Sequence, residues 1–197
     1  MANKKAVVLI DGGYFDHLNR YLQNERGKSI DVKELSLKVC EGMDHIRTKF
    51  YHANPYQSDN PTPEEKRRYQ SAQKFQYAIN RIKNHEFVGV GRVKNNHMKC
   101  PKCGNSFTTL KQKGVDVAIA LDLVKMARKR VNDIFILITG DEDFTSAVEM
   151  AQEELCNVIV YYSSDRGYNI FGSQQLNNTA SDRINMTLDF LEECAMV

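Results

Sequence analysis

Three runs of branched aliphatic residues constrain this chain more than anything else in it: "KAVVLI" at 5–10, "DIFILIT" at 133–139 and "NVIVYY" at 157–162. A strand with one face in water alternates apolar and polar residues. A run that is apolar at every position belongs to a strand covered on both faces, as in a parallel sheet between helices. "RTKFYH" and "EFVGVGRV" read as two further strands, which makes about five.

Helical patterns fall between the strands. "DVKELSLKVCEGM" spaces Val32, Leu35, Val39 and Met43 by three and four residues. The next begins at Thr62, a side-chain cap followed by Pro63 in the first turn and Glu65 at the capping-box position. Its apolar line runs through Tyr69, Ala72, Phe75, Ile79 and Ile82. "VDVAIALDLVKMARKR" and "SAVEMAQEEL" supply two more helices, and "SDRINMTLDFLEEC" is expected to close the chain as another. Strands alternating with helices predict a three-layer α/β/α sandwich around a mainly parallel sheet. A length of 197 residues suits a single domain over 1–197. Residues 95–112, "NNHMKCPKCGNSFTTLKQ", break the rhythm and read as a small insertion within it.

Several classes of function are disfavoured at once. No apolar run approaches the ~20 residues of a membrane helix, and the N-terminus reaches a charge too early for a secretory signal. A cytoplasmic protein without a membrane is expected. The 5 cysteines are odd in number and scattered, unlike a disulfide framework. Cys40, Cys156 and Cys194 sit in apolar patterns and read as packing residues. No GxGxxG follows the first strand, which argues against a dinucleotide site. An aspartyl-nucleophile phosphatase would want a second Asp two residues after Asp11, where Gly13 stands.

In open parallel sheets the site lies beyond the carboxyl ends of the strands, where the strand order reverses. The loops after "VVLI" and "ILIT" both carry acids there: Asp11 in one, Asp141, Glu142 and Asp143 in the other. Asp116 opens the helix that leads to the second. Each residue has a plainer reading: Asp11 as a turn residue before two glycines, Asp116 as a first-turn acid, Asp143 as a helix cap. Taken together, clustered carboxylates repel unless a cation screens them, and Mg2+ or Mn2+ prefers such oxygens together with water and substrate phosphates. Asp122, six residues beyond Asp116, is turned about 240° around the helix and reads as marginal or structural. His17, His45 and His52 show no partner spacing and read as structural or exposed.

The motifs "VVLIDGGYF", "QKGVDVAIALDLVKMA", "ILITGDEDFTSAV" and "NNTASDRINMTLDFL" resemble, in order and spacing, those of NYN domains, particularly the LabA-like group. The resemblance implies the PIN-like nuclease fold, in which clustered acids bind Mg2+ or Mn2+ and cut RNA. Carried over by motif, Asp11, Asp116, Asp141 and Asp143 would form the metal centre and the catalytic set. Asp182 in "ASDRI" matches a family acid of less certain role, with a helix-start residue as its plainer reading. One departure stands out: many NYN members carry an Asn shortly after the first Asp, where this chain has Tyr14.

The charge is unevenly spread. Residues 62–130 hold 16 Lys and Arg against 5 Asp and Glu, while the rest of the chain holds 11 against 20. Such a patch reads either as a solvated face or as a footprint for a polyanion. Lys66, Arg67 and Arg68 form one basic group; Lys94, Lys99, Lys102, Lys111 and Lys113 surround the insertion and form another. Within the insertion, "HMKCPKCG" is half of a zinc ribbon. Structural zinc takes four ligands, and the second CxxC is missing. His97 would be a third ligand after Cys100 and Cys103; the fourth would come from His85, a substrate or a second subunit, or else the knuckle is a metal-free hairpin tip. The expected function is a metal-dependent endoribonuclease using metal-activated water, with RNA as partner. The alternative is a non-catalytic RNA-binding or regulatory NYN module, which the Tyr14 departure favours. A homo-oligomer is one of the assemblies compatible with either.

Overall fold

Strand β1 (Lys5–Asp11) is the centre of the molecule, with parallel neighbours on both sides. The computed structural model describes residues 3–130, 132–165, 167–168 and 170–196; of Arg92, 94–97 and 107–112 it describes the backbone only. From β1 the chain runs through α1 (Gly12–Arg26) and α2 (Val32–Val39) to β2 (Asp44–His52), then through α3 (Pro63–Arg81) to β3 (His85–Gly89). An antiparallel hairpin, β4 (Arg92–Lys99) and β5 (Ser106–Lys113), follows. Helix α4 (Val115–Arg128) then carries the chain to β6 (Ile134–Ile138), on the other side of β1. The remaining elements are a 3-10 turn (Glu142–Phe144), α5 (Thr145–Glu153), β7 (Asn157–Tyr162), α6 (Gln174–Thr179), β8 (Asp182–Asn185) and α7 (Leu188–Glu193).

The six-stranded sheet has the order β3-β2-β1-β6-β7-β8, with every pairing parallel. The order reverses between β1 and β6, so the crevice that such a reversal opens lies at their carboxyl ends. The aliphatic runs explain themselves once both faces are seen. Ala6, Val8 and Ile10, with Ile134, Ile136 and Ile138, enter the core shared with α1, α2 and α7. Val7 and Leu9, with Phe135 and Leu137, enter the second core under α4 and α5. Adjacent residues point to opposite faces, and both faces are dry.

Local signals account for the helix starts. Thr62 accepts from the Glu65 amide while Glu65 accepts from the Thr62 amide, the reciprocal cap its spacing predicts. Asp31 caps α2 in the simpler way, accepting from Lys33 and Glu34. Along α3 only Ile79 is buried, and the early turns bearing Lys66, Arg67 and Arg68 stand in solvent.

The structure departs from the expectation in four places. The sheet has six strands, because "SDRIN" adds β8 and the closing helix begins only at Leu188. Asp182 therefore opens a strand and not a helix. "EFVGVGRV" is broken after Gly89, and its second part belongs to the hairpin. The insertion spans Arg92–Lys113, wider than 95–112, because strand pairing extends to Arg92 opposite Lys113. Finally, Gly12–Arg26, which is not among the expected helices, is a full helix with Phe15, Leu18 and Leu22 buried. Among the described residues no helix is long and apolar enough to cross a membrane.

Candidate active site

Register brings the first two site residues together. Ile10 pairs with Ile138, so Asp11 and Thr139 leave the sheet side by side. Asp11 is 9% exposed, and both of its carboxylate oxygens accept hydrogen bonds. Oδ1 accepts from the amides of Gly13 at 2.9 Å and Tyr14 at 3.3 Å, capping α1, and Oδ2 accepts from the Thr139 hydroxyl at 3.2 Å. Thr139 in turn accepts from the Asp141 amide at 3.3 Å. One hydroxyl therefore joins the two acidic loops.

Gly12 is needed for this approach: a Cβ there would lie 2.5 Å from the Tyr51 carbonyl oxygen and 2.4 Å from the His52 ring. Gly140 is equally confined, since a Cβ would meet the Phe171 carbonyl oxygen at 2.7 Å and the Tyr14 ring at 2.9 Å.

Asp116 enters from a third element, the first turn of α4. That helix has no side-chain cap, and its N-cap, Gly114, is left-handed at φ 90°. Together these residues line a cleft of about 710 Å³, with walls from Asp11, Asp116, Asp141, Glu142, His17 and the 171–174 loop. Electrostatics mark the same group. Burial pushes the Asp11 carboxyl above its ordinary range, outweighing the amide bonds that favour its charge, and Asp116 adds to the rise. Asp116 is raised by burial and then by the carboxylates of Asp141 and Asp143.

Three of the four predicted acids, Asp11, Asp116 and Asp141, face the cleft. Asp143 is exposed in the 3-10 turn and acts on Asp116 through its charge; it does not cap α5, whose N-cap residue is Phe144. Asp141 caps the turn by accepting from the Asp143 amide at 3.1 Å. As they are placed, no three His, Cys, Asp or Glu side chains among the described residues form a ready cage for one ion. Asp122 is directed elsewhere: it pairs with Lys49 and accepts from the Tyr51 hydroxyl at 2.8 Å. Burial would raise it, but those two partners hold its carboxyl below its ordinary value. Asp182, at the start of a parallel strand, lies at the opposite edge of the sheet.

Tyr14, the residue that departs from the family pattern, is a structural tie. Its hydroxyl donates to the Ile170 carbonyl at 2.5 Å and accepts from the Ser163 amide at 2.8 Å. This anchors the loop that delivers Phe171, Ser173 and Gln174 to the cleft. The Ser173 amide completes the anchor by donating to Gly140 at 2.8 Å. These loop residues and His17 escaped sequence reasoning, because only the anchoring brings them near Asp11. Phe171 is 48% exposed at the cleft.

Of the basic residues, Lys66, Arg67, Arg68, Lys99, Lys102 and Lys113 are exposed; the side chains of Lys94, Lys111 and His97 lie outside the described residues. Helix α3 starts after the carboxyl end of β2, and the hairpin joins the carboxyl end of β3 to the start of α4. Both basic groups thus arise from the same edge of the sheet as the acids. His85 is not available to the CxxC. Its Nε2 meets the Ser36 hydroxyl at 3.1 Å, its Nδ1 meets the Lys83 carbonyl at 2.9 Å, and it sits at the far, amino end of β3.

Helix-covered parallel strands with carboxylates gathered where the order reverses are the arrangement of a PIN-like fold. The NYN domain model matches residues 5–187, and the chain belongs to this family of PIN-like nucleases. The fold also recurs in the crystal structure of a protein of unknown function from Vibrio parahaemolyticus. That protein is 17% identical, with a TM-score of 0.56 over 98% of this chain and 97% of the other. No curated protein matches the chain.

Proposed function

We propose that the chain is a metal-dependent endoribonuclease that holds an RNA phosphodiester and Mg2+ or Mn2+ in the cleft at the strand reversal. The observation that carries this reading is the set of carboxylates on three separate elements, Asp11, Asp116 and Asp141, turned toward one cleft although they repel one another. A divalent cation fits that donor set. Magnesium usually takes only one or two protein carboxylates and fills its remaining positions with water and phosphate oxygens, so a closed protein cage is not required.

Asp116 and Asp141 would hold the ion directly, with Asp11 beside them and Asp143 adding negative charge from the rim. When bound, the cation supplies an activated water and neutralises charge on the phosphoryl oxygens. The chain's own groups do the rest. Thr139 fixes the Asp11 carboxylate, Tyr14 and Gly140 hold the 171–174 loop against it, and the Phe171 ring offers a base a stacking surface at the mouth. Lys66, Arg67, Arg68, Lys99, Lys102 and Lys113 would carry the flanking phosphates, which an acidic cleft alone would repel.

A second reading, a non-catalytic RNA-binding module, is favoured by one feature: both oxygens of Asp11 already accept hydrogen bonds within the protein. Labelled single-stranded RNA, structured RNA and DNA incubated with Mn2+, Mg2+ or EDTA separate the two. Cleavage of RNA that stops with EDTA is expected. Binding without cleavage under every metal condition would leave the second reading standing.

A further inference from the structure

The tip of the β4–β5 hairpin has the shape of a metal knuckle, yet among the described residues no third ligand completes the site. The Cys100 amide donates to the Asn105 carbonyl at 2.8 Å, and the Gly104 amide donates back to the Cys100 carbonyl at 2.9 Å. Gly104 turns the chain there in the left-handed region at φ 73°. The Cys103 and Lys102 amides and then the Cys103 thiol, all in that turn, lower the Cys100 thiol below its ordinary value. Both cysteines are reduced and neither is buried. Two free thiols carried by one tight turn at the tip of a hairpin are half of a tetrahedral thiolate site.

His85 is committed to the far end of the sheet, and no third His, Cys, Asp or Glu joins the pair among the described residues. Even with His97, the chain would offer three ligands where structural zinc takes four. A twofold axis through the tip supplies the remainder, because a second copy brings an identical pair.

We infer that Cys100 and Cys103 of two copies of this chain bind one Zn2+ between them, joining the hairpins tip to tip. As the four thiols coordinate they release their protons to solvent, leaving four thiolates around a divalent ion. That excess negative charge falls beside Lys99 and Lys102 of each copy, all exposed, which offset it. The inference is independent of the nuclease reading. It does imply that two clefts would sit in one particle, with their basic hairpins adjoining.

The test uses full-length, untagged protein in a phosphine reductant, reconstituted with ZnCl2 alone. Zinc content and molar mass by light scattering are followed for wild type, a Cys100→Ser, Cys103→Ser double variant and His97→Ala. The expected result is one zinc per two chains beyond that bound by the double variant, a dimer that a chelator returns to monomer, and no change on His97→Ala. Cobalt substituted for zinc should give the absorption of a tetrahedral four-sulfur site. The inference is overturned by zinc bound one per chain in a monomer, by zinc lost on His97→Ala, by no zinc at all, or by a dimer that survives both chelator and the double variant. Wild-type stoichiometry and the cobalt spectrum decide the matter even if a variant folds poorly.

Discussion

The Thr139 hydroxyl donates to Asp11 Oδ2 at 3.2 Å, across the one point in the sheet where the strand order reverses. The bond is a product of register, since Ile10 lies opposite Ile138 and the next residue of each strand is carried out of the sheet beside the other. It also divides the acids into two kinds. Asp11 is locked, nearly buried and part of a helix cap, whereas Asp141 is exposed and free of any basic partner among the described ion pairs.

Substitutions should separate those two kinds. Asp141→Asn and Asp116→Asn are expected to reduce metal-dependent RNA cleavage by about 100-fold or more, the scale on which lost charge stabilisation acts at a reacting phosphate. Thermal melts without metal should be unchanged or slightly higher, because each variant relieves repulsion. Asp11→Ala should lose activity and also about 1–2 kcal/mol of stability, the cost of an N-terminal cap. Equal destabilisation by all three would mean that the carboxylates are structural.

Tyr14→Phe removes a hydroxyl that serves the Ile170 carbonyl and the Ser163 amide, both in buried surroundings. Unfolding in urea should show a loss of about 1–3 kcal/mol, the penalty for leaving such groups unmet. Cleavage by the folded variant should fall too, but by less than in Asp141→Asn, because the loop that carries Phe171 to the cleft loses its tie. A large fall in turnover at unchanged stability would instead make the phenol part of the chemistry.

Phe171→Leu keeps an apolar side chain but loses the aromatic face. For an Asp141→Asn background, which binds without cutting, single-stranded RNA affinity should fall by about 1–3 kcal/mol. Equal affinity for the two proteins in a filter-binding titration would remove the stacking surface from the mechanism.

The basic edge should show itself through salt. With about three to five phosphates neutralised, log Kd against log salt for single-stranded RNA should have a magnitude near 2–3.5, at about 0.7 per contact. Replacing Lys99, Lys102 and Lys113 with glutamine should flatten that dependence with little change in melting temperature. A slope that ignores the three lysines would place the nucleic-acid track elsewhere.

Acid should weaken the fold well above the carboxylate range. His45 and His85 meet edge to face at 5.4 Å, and burial lowers both below the ordinary imidazole value; the His85 charge lowers His45 further. Both therefore take up a proton less readily when folded than in the unfolded chain, whose imidazoles protonate near pH ~6.5. Between the folded and unfolded values the unfolded state binds more protons, so stability is full above about 6.5 and falls as pH drops. Urea midpoints at about pH 7.5 and about pH 5.5 should differ, and His85→Gln should narrow the gap. Midpoints that coincide for the wild type would contradict the assignment.

Much of this was legible in one dimension because it depends on short-range rules. Aliphatic runs in strands 5–11 and 134–138 announce a sheet buried on both faces. Thr62 and Glu65 announce a helix start, and the acids after two such strands announce a site where parallel sheets keep them. What the sequence could not decide depends on contacts between residues far apart in the chain. Asp122 turns away because Lys49 and Tyr51, on a neighbouring strand, take it up; Asp182 lies at the wrong edge because its segment pairs with Tyr161 and Tyr162 as a strand instead of coiling. The Tyr14 hydroxyl became an anchor, although its ring lines the cleft, only because residues 163 and 170 arrive at it from about 150 positions away, with separations of 149 and 156. Side-chain periodicity records which face of an element is apolar. It carries no record of which distant partner will meet a given polar atom, and that choice falls to the packing of the layers.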